Sequence, residues 1–291
     1  MVNIYEILKN HPGLSRQLSC KDLLFTQYDC PQIERKERFY VECNFIAYVI
    51  NGRRIFYKNK KAWELSEGTC VFVKKGTHIA EKEGEEGWCV MVFFIPDHYL
   101  KQFMNENRKS LSLNSLPEAG VEHLLPLHVN DLSRSFFFSM LPYFGQTPPP
   151  PENLIELKFK ELVLSLLSDK ENERFLSYLN NLSNDKLPSI EEIMHNNYTF
   201  NLSLTEYAKL AARSVPTFKR EFKKIFKETP AKWVQKKRLQ LATELLQNTP
   251  LSVWEVTYEC GFENPTHFSR VFKEKMGTTP LQYRIQFKPA P

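Results

Sequence analysis

From about residue 20 to residue 96 the chain is written in short apolar, β-branched and aromatic runs separated by turn-forming residues. Phe45-Ile46-Ala47-Tyr48-Val49-Ile50 is followed by Asn51-Gly52, a pair that tolerates positive φ in a tight turn. The pattern predicts a β-hairpin, with Arg53 to Lys58 as the returning strand and Asn59-Lys60 as the next turn. Trp63 and Leu65 lead into Ser66-Glu67-Gly68, and Thr69 to Val73 reads as a further strand. Gly76, Gly84 and Gly87 then punctuate the approach to the strongest strand, Trp88 to Ile95. Many short strands at near-regular spacing predict a small barrel or sandwich.

Pro96 closes that region, and the apolar period lengthens to that of helices. Asp97 to Arg108 places Tyr99, Leu100, Phe103 and Met104 on one side, residues 110–130 read as irregular, and Ser133 to Phe144 is apolar and aromatic. After the rigid run Pro148 to Pro151 comes Glu152 to Leu167, apolar nearly all round through Leu154, Leu157, Leu162 and Leu166. Such a helix buries more than one face, which suits an oligomer interface as well as a core. Glu171 to Leu182 is a second amphipathic helix, and Asn181 to Pro188 is polar and linker-like.

Beyond the linker one helix-turn-helix pattern is written twice. Phe218-Lys219-Arg220-Glu221-Phe222-Lys223, closing at Thr229-Pro230, returns 50 residues later as Phe268-Ser269-Arg270-Val271-Phe272-Lys273, closing at Thr279-Pro280. In the first unit Leu204 to Ala212 makes a short helix, Arg213-Ser214 the turn, Ser214 the N-cap, and Pro216 falls in the first turn of the next helix. Phe218, Phe222, Ile225 and Phe226 are predicted inward, and Thr217, Lys219, Arg220 and Lys223 outward. In the second unit Val253 to Cys260 is the supporting helix, Gly261-Phe262 the turn and Asn264 the N-cap. Phe268, Val271 and Phe272 face inward there, leaving Thr266, His267, Ser269, Arg270 and Lys273 outward. Trp233 to Leu246 reads as a continuous connector with Lys236, Lys237 and Arg238 on one side, suited to holding two recognition helices about one duplex turn, ~34 Å, apart.

Charge supports a polyanionic partner for this half. From Pro188 onward sixteen Lys and Arg stand against ten Glu and no Asp, while the first 187 residues carry 23 basic and 24 acidic side chains. The six cysteines, at 20, 30, 43, 70, 89 and 260, form no CxxC pair and lie partly in apolar runs, as free structural thiols of a reducing compartment do. Met1 to Ser15 lacks a signal-peptide core, and the longest apolar run, Trp88 to Pro96, is too short to span a bilayer. These features predict a cytoplasmic protein of two domains, residues 1–182 and 188–291, with no membrane partner.

The pattern Arg238-x3-Ala242-x2-Leu245-Leu246, then Gly261-Phe262, Phe268 to Lys273 and Gly277-Thr278-Thr279-Pro280-Leu281-Gln282-Tyr283-Arg284 resembles the AraC/XylS family signature. Thr257, Cys260 and Lys227 depart from it, Lys227 standing where the family usually has glycine. The strand region, through Leu65 to Gly76 and the strand ending Ile95-Pro96, resembles the cupin-like domain of the ExsA-type subgroup. The resemblance implies an α+β protein: a cupin-like β-barrel or sandwich with helices, then an all-α tandem helix-turn-helix domain. It implies a transcriptional regulator whose outward residues on the two recognition helices read bases in double-stranded DNA. Lys223, Lys273 and the amides at the Ser214 and Asn264 caps would hold phosphates, and Arg220 and Arg270 would grip guanines through their planar forks. It further implies a homodimer through helices within 152–182 and a regulatory protein or small-molecule effector at the N-terminal domain.

Two enzymatic readings compete. A cupin enzyme needs clustered His and carboxylate ligands, whereas the strand region offers only His78, with His98 just after it. The run Glu81, Glu83, Glu85, Glu86 reads as a solvated turn, Arg53-Arg54 and Lys74-Lys75 as solvated hairpin charges, and Phe56, Tyr57, Trp63, Phe72 and Trp88 as core. A DNA-repair methyltransferase on the same module needs an activated cysteine, and the scattered cysteines here have no activating neighbours. No catalytic, metal or cofactor residue is assigned, and the expectation is a non-enzyme.

Overall fold

The computed structural model describes residues 2–30, 35–58, 61–83, 87–114, 116–118, 122–184 and 187–287. The chain divides into two compact units, Val2–Lys186 and Leu187–Pro291. The first begins β1 (Val2–Asn3), α1 (Ile4–Asn10), β2 (Arg16–Cys20), β3 (Leu23–Cys30), β4 (Lys36–Val41), β5 (Asn44–Asn51), β6 (Arg53–Lys58). It continues β7 (Lys61–Ser66), β8 (Cys70–Val73), β9 (Gly76–Lys82), β10 (Trp88–Ile95), α2 (Asp97–Asn107), β11 (Leu124–Leu127), α3 (Asp131–Met140), α4 (Glu152–Leu167) and α5 (Glu173–Ser183). The strands form a five-stranded sheet, β1-β4-β9-β6-β7, and a six-stranded sheet, β11-β8-β5-β10-β3-β2. Every pairing is antiparallel except β1 with β4.

Side-chain alternation explains the layering. Along β10, Val90, Val92 and Phe94 pack into a core shared by both sheets, while Met91, Phe93 and Ile95 pack into a second core with α2, α3, α4 and α5. β5 alternates likewise, with Phe45, Ala47 and Val49 on one side and Ile46 and Tyr48 on the other. Both faces of the six-stranded sheet are therefore buried, and its central strands read as unbroken apolar runs. Phe72 sits in the helix-facing core and Trp88 in the inter-sheet core, with Phe56 and Trp63 packed on the edge of the latter; Phe56 and Trp88 line a cavity of about 80 Å³ there.

Several expectations are corrected. Asn51-Gly52 does not close a hairpin: β5 pairs with β8 and β10, β6 with β7 and β9, so the chain turns here from one sheet into the other. Gly52 is required at this corner, with φ +92° and the carbonyl of Gly87 where a Cβ would stand. The β6–β7 hairpin exists, but its Asn59-Lys60 turn lies outside the described residues, as do Gly84, Glu85 and Glu86. Residues 110–130 are not wholly irregular, since β11 adds an edge strand to β8, with Pro126 tolerated because an edge strand needs few donors. The structure adds an N-terminal helix, α1, capped by the Asn3 side chain. α5 runs to Ser183, so Asn181 to Ser183 belong to a helix and the connecting segment is shorter, with 185–186 outside the described residues.

Of the basic pairs Arg53 is exposed, as expected, but the other three are not plain solvated charges. Arg54 is only 3% exposed and lies over the Trp88 ring at 5.4 Å. Lys75 donates to Asp97 Oδ2 at 2.7 Å, and Lys74 stands over the Tyr178 ring at 4.7 Å. Asn44 ties this region together: its Nδ2 donates to Asp97 Oδ1 at 2.7 Å, and its Oδ1 accepts from the Lys75 amide at 2.9 Å and from Tyr178 Oη at 3.3 Å. α4 buries Ile155, Phe159, Leu162, Val163 and Leu166 but leaves Leu157 61% exposed, so its apolar character is not absorbed by the unit's own core.

The second unit is α6 (Ile190–Asn197), α7 (Leu204–Leu210), α8 (Val215–Phe226), α9 (Pro230–Asn248), α10 (Val253–Glu259), α11 (Pro265–Met276) and α12 (Pro280–Phe287). It holds two separate cores. Ile190, Met194, Tyr207, Phe218, Phe222 and Trp233 make the first, and Leu239, Leu246, Val256, Phe262, Phe268 and Phe272 the second. α9 contributes to both, which is why it is long and uninterrupted. Among the described residues no helix is long and apolar enough to cross a membrane.

Candidate nucleic-acid interface

Each half is a supporting helix, a tight turn and a second helix, and the same local chemistry builds both. α7 opens with a capping box in which Ser203 and Glu206 bond reciprocally, and α10 opens with the same box from Ser252 and Glu255, 49 residues on. Each turn has a left-handed residue, Ala212 at φ 52° and Gly261 at φ 86°, again 49 apart. The next amide reaches back in the same way, Arg213 to the Ala208 carbonyl and Phe262 to the Thr257 carbonyl, both at 3.0 Å. From the N-caps onward the offset becomes 50: Ser214 caps α8, Asn264 caps α11, and Lys227 (φ 58°) and Gly277 (φ 80°) end them. The second turn is therefore one residue longer, and that residue is Glu263.

Ser214 Oγ accepts from the Thr217 amide at 3.4 Å and donates to Thr217 Oγ1 at 2.9 Å. Asn264 Oδ1 accepts from the Thr266 amide at 2.8 Å and the His267 amide at 3.1 Å. Both caps are exposed, but their oxygens are committed to the helix ends, which leaves Asn264 its amide nitrogen for any ligand. On α8, Lys219, Arg220 and Lys223 are exposed and Thr217 is half-buried. On α11, Thr266, His267, Arg270 and Lys273 are exposed and Ser269 is half-buried. Phe218, Phe222, Phe268, Val271 and Phe272 are buried as predicted, whereas Ile225 is not: it is 42% exposed. Lys224 also shares the exposed arc of α8. Its counterpart on α11 is Glu274, so the first helix presents a denser positive face than the second.

The connector also differs from expectation. Residues 236, 237 and 238 are about 100° apart around a helix and cannot share a side. Lys236 is exposed, Lys237 stands over the Trp233 ring at 5.7 Å, and Arg238 turns inward. Arg238 Nε donates to the Tyr198 carbonyl at 2.7 Å, Nη2 to the Phe200 carbonyl at 2.9 Å and Nη1 to the Gly261 carbonyl at 2.7 Å, with the guanidinium 5.8 Å from the Phe262 ring. A cleft of about 810 Å³ opens between the two halves, with Lys219 on one wall, Asn264 and His267 on the other, and Gln235 and Arg238 from α9 between them.

A family model for the ExsA N-terminal regulatory domain matches residues 44–178, and one for a helix-turn-helix domain matches residues 207–286. The virulence regulon transcriptional activator VirF of Yersinia enterocolitica is 24% identical over 238 residues, covering 81% of this chain and 87% of that one. The transcriptional regulator ExsA of Pseudomonas aeruginosa is 22% identical over 222 residues, covering 76% and 78%. This chain belongs to the AraC-type transcriptional regulators. As an AraC-type regulator it is a helix-turn-helix protein that binds DNA. The solved DNA-binding domain of AdpA in complex with a target DNA aligns at 29% identity, covering 31% of this chain and 81% of that one, with a TM-score of 0.30.

His78 is buried, its ring 5.5 Å from that of Phe39, with Nε2 2.9 Å from the Lys74 carbonyl, and burial beside Lys58 and His123 holds it well below the usual histidine range. Among the described residues no group of three His, Cys, Asp or Glu is placed to hold a metal. Burial pushes the thiols of Cys43 and Cys70 far up and that of Cys89 up to about 11, so each stays protonated near neutrality. The curated relatives are themselves transcriptional regulators.

Proposed function

We propose that residues 188–291 read a two-box operator, with α8 in one major-groove segment and α11 in the next, about one duplex turn or ~34 Å away. Arg220 and Arg270 grip guanines bidentately, Thr217, Lys219, Thr266, His267 and Ser269 complete the base-edge contacts, and Lys223, Lys273 and the amides at the Ser214 and Asn264 caps hold phosphates. The observation that carries this reading is the repeated outward placement of Arg220 and Arg270, 50 residues apart, on helices capped and terminated in the same way. Residues 1–182 form a cupin-like regulatory domain that self-associates through helices within 152–182, where Leu157 stays exposed, and that receives a protein or small-molecule signal. The chain acts in the cytoplasm, and relatives named as activators favour activation as its direction of control.

Selection from random duplexes with the full chain, repeated with the 188–291 fragment, tests the reading. Recovery of one site with two short boxes about a turn apart in both experiments supports it. Enrichment of no sequence, or of a single box whose partner tolerates any base, refutes the two-helix mechanism.

A further inference from the structure

Two recognition helices joined by one helix still need a fixed relative placement if they are to measure the distance between two boxes. α9 supplies the connection, but its two ends belong to separate cores, so a bend or twist along it changes the relation between α8 and α11. A direct joint between the halves bypasses that compliance. Arg238, midway along α9, donates to the Tyr198 and Phe200 carbonyls in the link between α6 and α7, and to the Gly261 carbonyl in the turn before α11. A second strut lies beside it: Asn201 Nδ2 donates to Glu263 Oε1 at 2.7 Å. Backbone contact completes the joint, because a Cβ at Gly261 would run into the carbonyl of Thr199.

We infer that Arg238, braced by the Asn201–Glu263 bond, is a positioning residue that sets the spacing between the two boxes the protein accepts. The inference rests on the two-helix reading above. Three carbonyls from two halves are held by one planar fork of donors, a geometry that lysine's single ammonium cannot reproduce. Glu263 is the one extra residue of the second turn, so the second strut comes from the place where the two repeats differ. The carbonyls are polar and point into a partly buried site, so removing the guanidinium leaves acceptors to be met by water in a loosened joint.

The experiment uses the full chain and the duplex recovered by selection, together with versions whose boxes are moved one base pair closer or farther. One base pair displaces the second box by about 3.4 Å and rotates it by about 35°. Wild-type protein is expected to lose about tenfold or more in affinity at either altered spacing, the order of a lost base contact. Arg238→Ala and Arg238→Lys are expected to shrink that penalty to about threefold or less, with affinity for an isolated single box unchanged. General destabilisation weakens binding at every spacing alike and leaves the ratio intact, so an undiminished penalty in a folded Arg238→Ala protein overturns the inference. If circular dichroism shows that the Arg238 variants do not fold, the double variant Asn201→Ala, Glu263→Ala takes their place: a reduced penalty supports the joint, and a full one refutes it. A wild-type protein indifferent to spacing would instead sink the two-helix reading itself.

Discussion

The first recognition helix ends on a residue poorly suited to its backbone, and the second shows the relaxed alternative in the same molecule. Lys227 closes α8 at φ 58°, donating its amide to the Lys223 carbonyl at 3.1 Å, and Gly277 closes α11 at φ 80° with the equivalent bond at 2.9 Å. An L side chain in the left-handed region costs about 1–2 kcal/mol, and glycine gives back about 0.4–1 kcal/mol through a freer unfolded chain. Lys227→Gly is therefore expected to stabilise the first helix-turn-helix by about 0.5–1 kcal/mol, a two- to fivefold shift in its opening equilibrium. Amide hydrogen exchange read by mass spectrometry measures this directly, because α11 serves as an internal reference for α8. Exchange across Val215–Phe226 should slow by about two- to fivefold while Pro265–Met276 is unchanged. Lys227→Ala removes the same charge but keeps the Cβ, so it should give no gain. Faster exchange in the glycine variant, or an equal gain in the alanine variant, refutes the strain argument.

Four other outcomes are expected. Arg270→Ala should lower affinity for the selected site by a factor of about 5–150 and relax preference at one position, with the fold intact by circular dichroism. Lys223→Ala should weaken all sequences alike and reduce the salt slope by about 1, and a footprint unchanged in Arg270→Ala would refute the assignment. Burial lowers Lys58 from its ordinary 10.5 to about 7, so between those values the unfolded chain holds the extra proton. Its contribution is complete above 10.5, shrinks as pH falls and is gone below about 7, a slope of at most about 1.4 kcal/mol per pH unit. Urea midpoints of wild type should therefore rise from pH 7 to 8.5 relative to Lys58→Met, and parallel profiles refute this. Asn44→Ala breaks a buried network of three hydrogen bonds and should cost the N-terminal unit about 2–4 kcal/mol in urea unfolding. A loss under about 0.5 kcal/mol would show the network to be dispensable.

Much of the architecture is legible because local signals and tertiary packing agree. Trp88–Ile95, Glu152–Leu167 and both recognition helices carry their periods, caps and prolines in the sequence itself. The failures share a physical cause. Asn51-Gly52 encodes a sharp reversal, but which strand lies across that reversal is decided by sheet packing many residues away. Leu124–Leu127 is too short to announce a strand and pairs only because β8 offers a free edge. On the two candidate helices outward residues follow from periodicity, yet the sequence groups Arg238 with its charged neighbours Lys236 and Lys237. Its role depends on carbonyls near 198 and 261 that sequence spacing does not bring together.

A head-to-tail pair of identical modules would carry a spare copy of its own junction at each end, and such junctions propagate into open arrays. The Asn201–Glu263 strut of this junction is made from residues the modules do not share. Glu263 has no counterpart in the first turn, and the place 49 residues beyond Asn201 is held by Pro250, which has no amide side chain to offer. The asymmetric residue gives the pair a direction, so that an operator read by it has a front and a back.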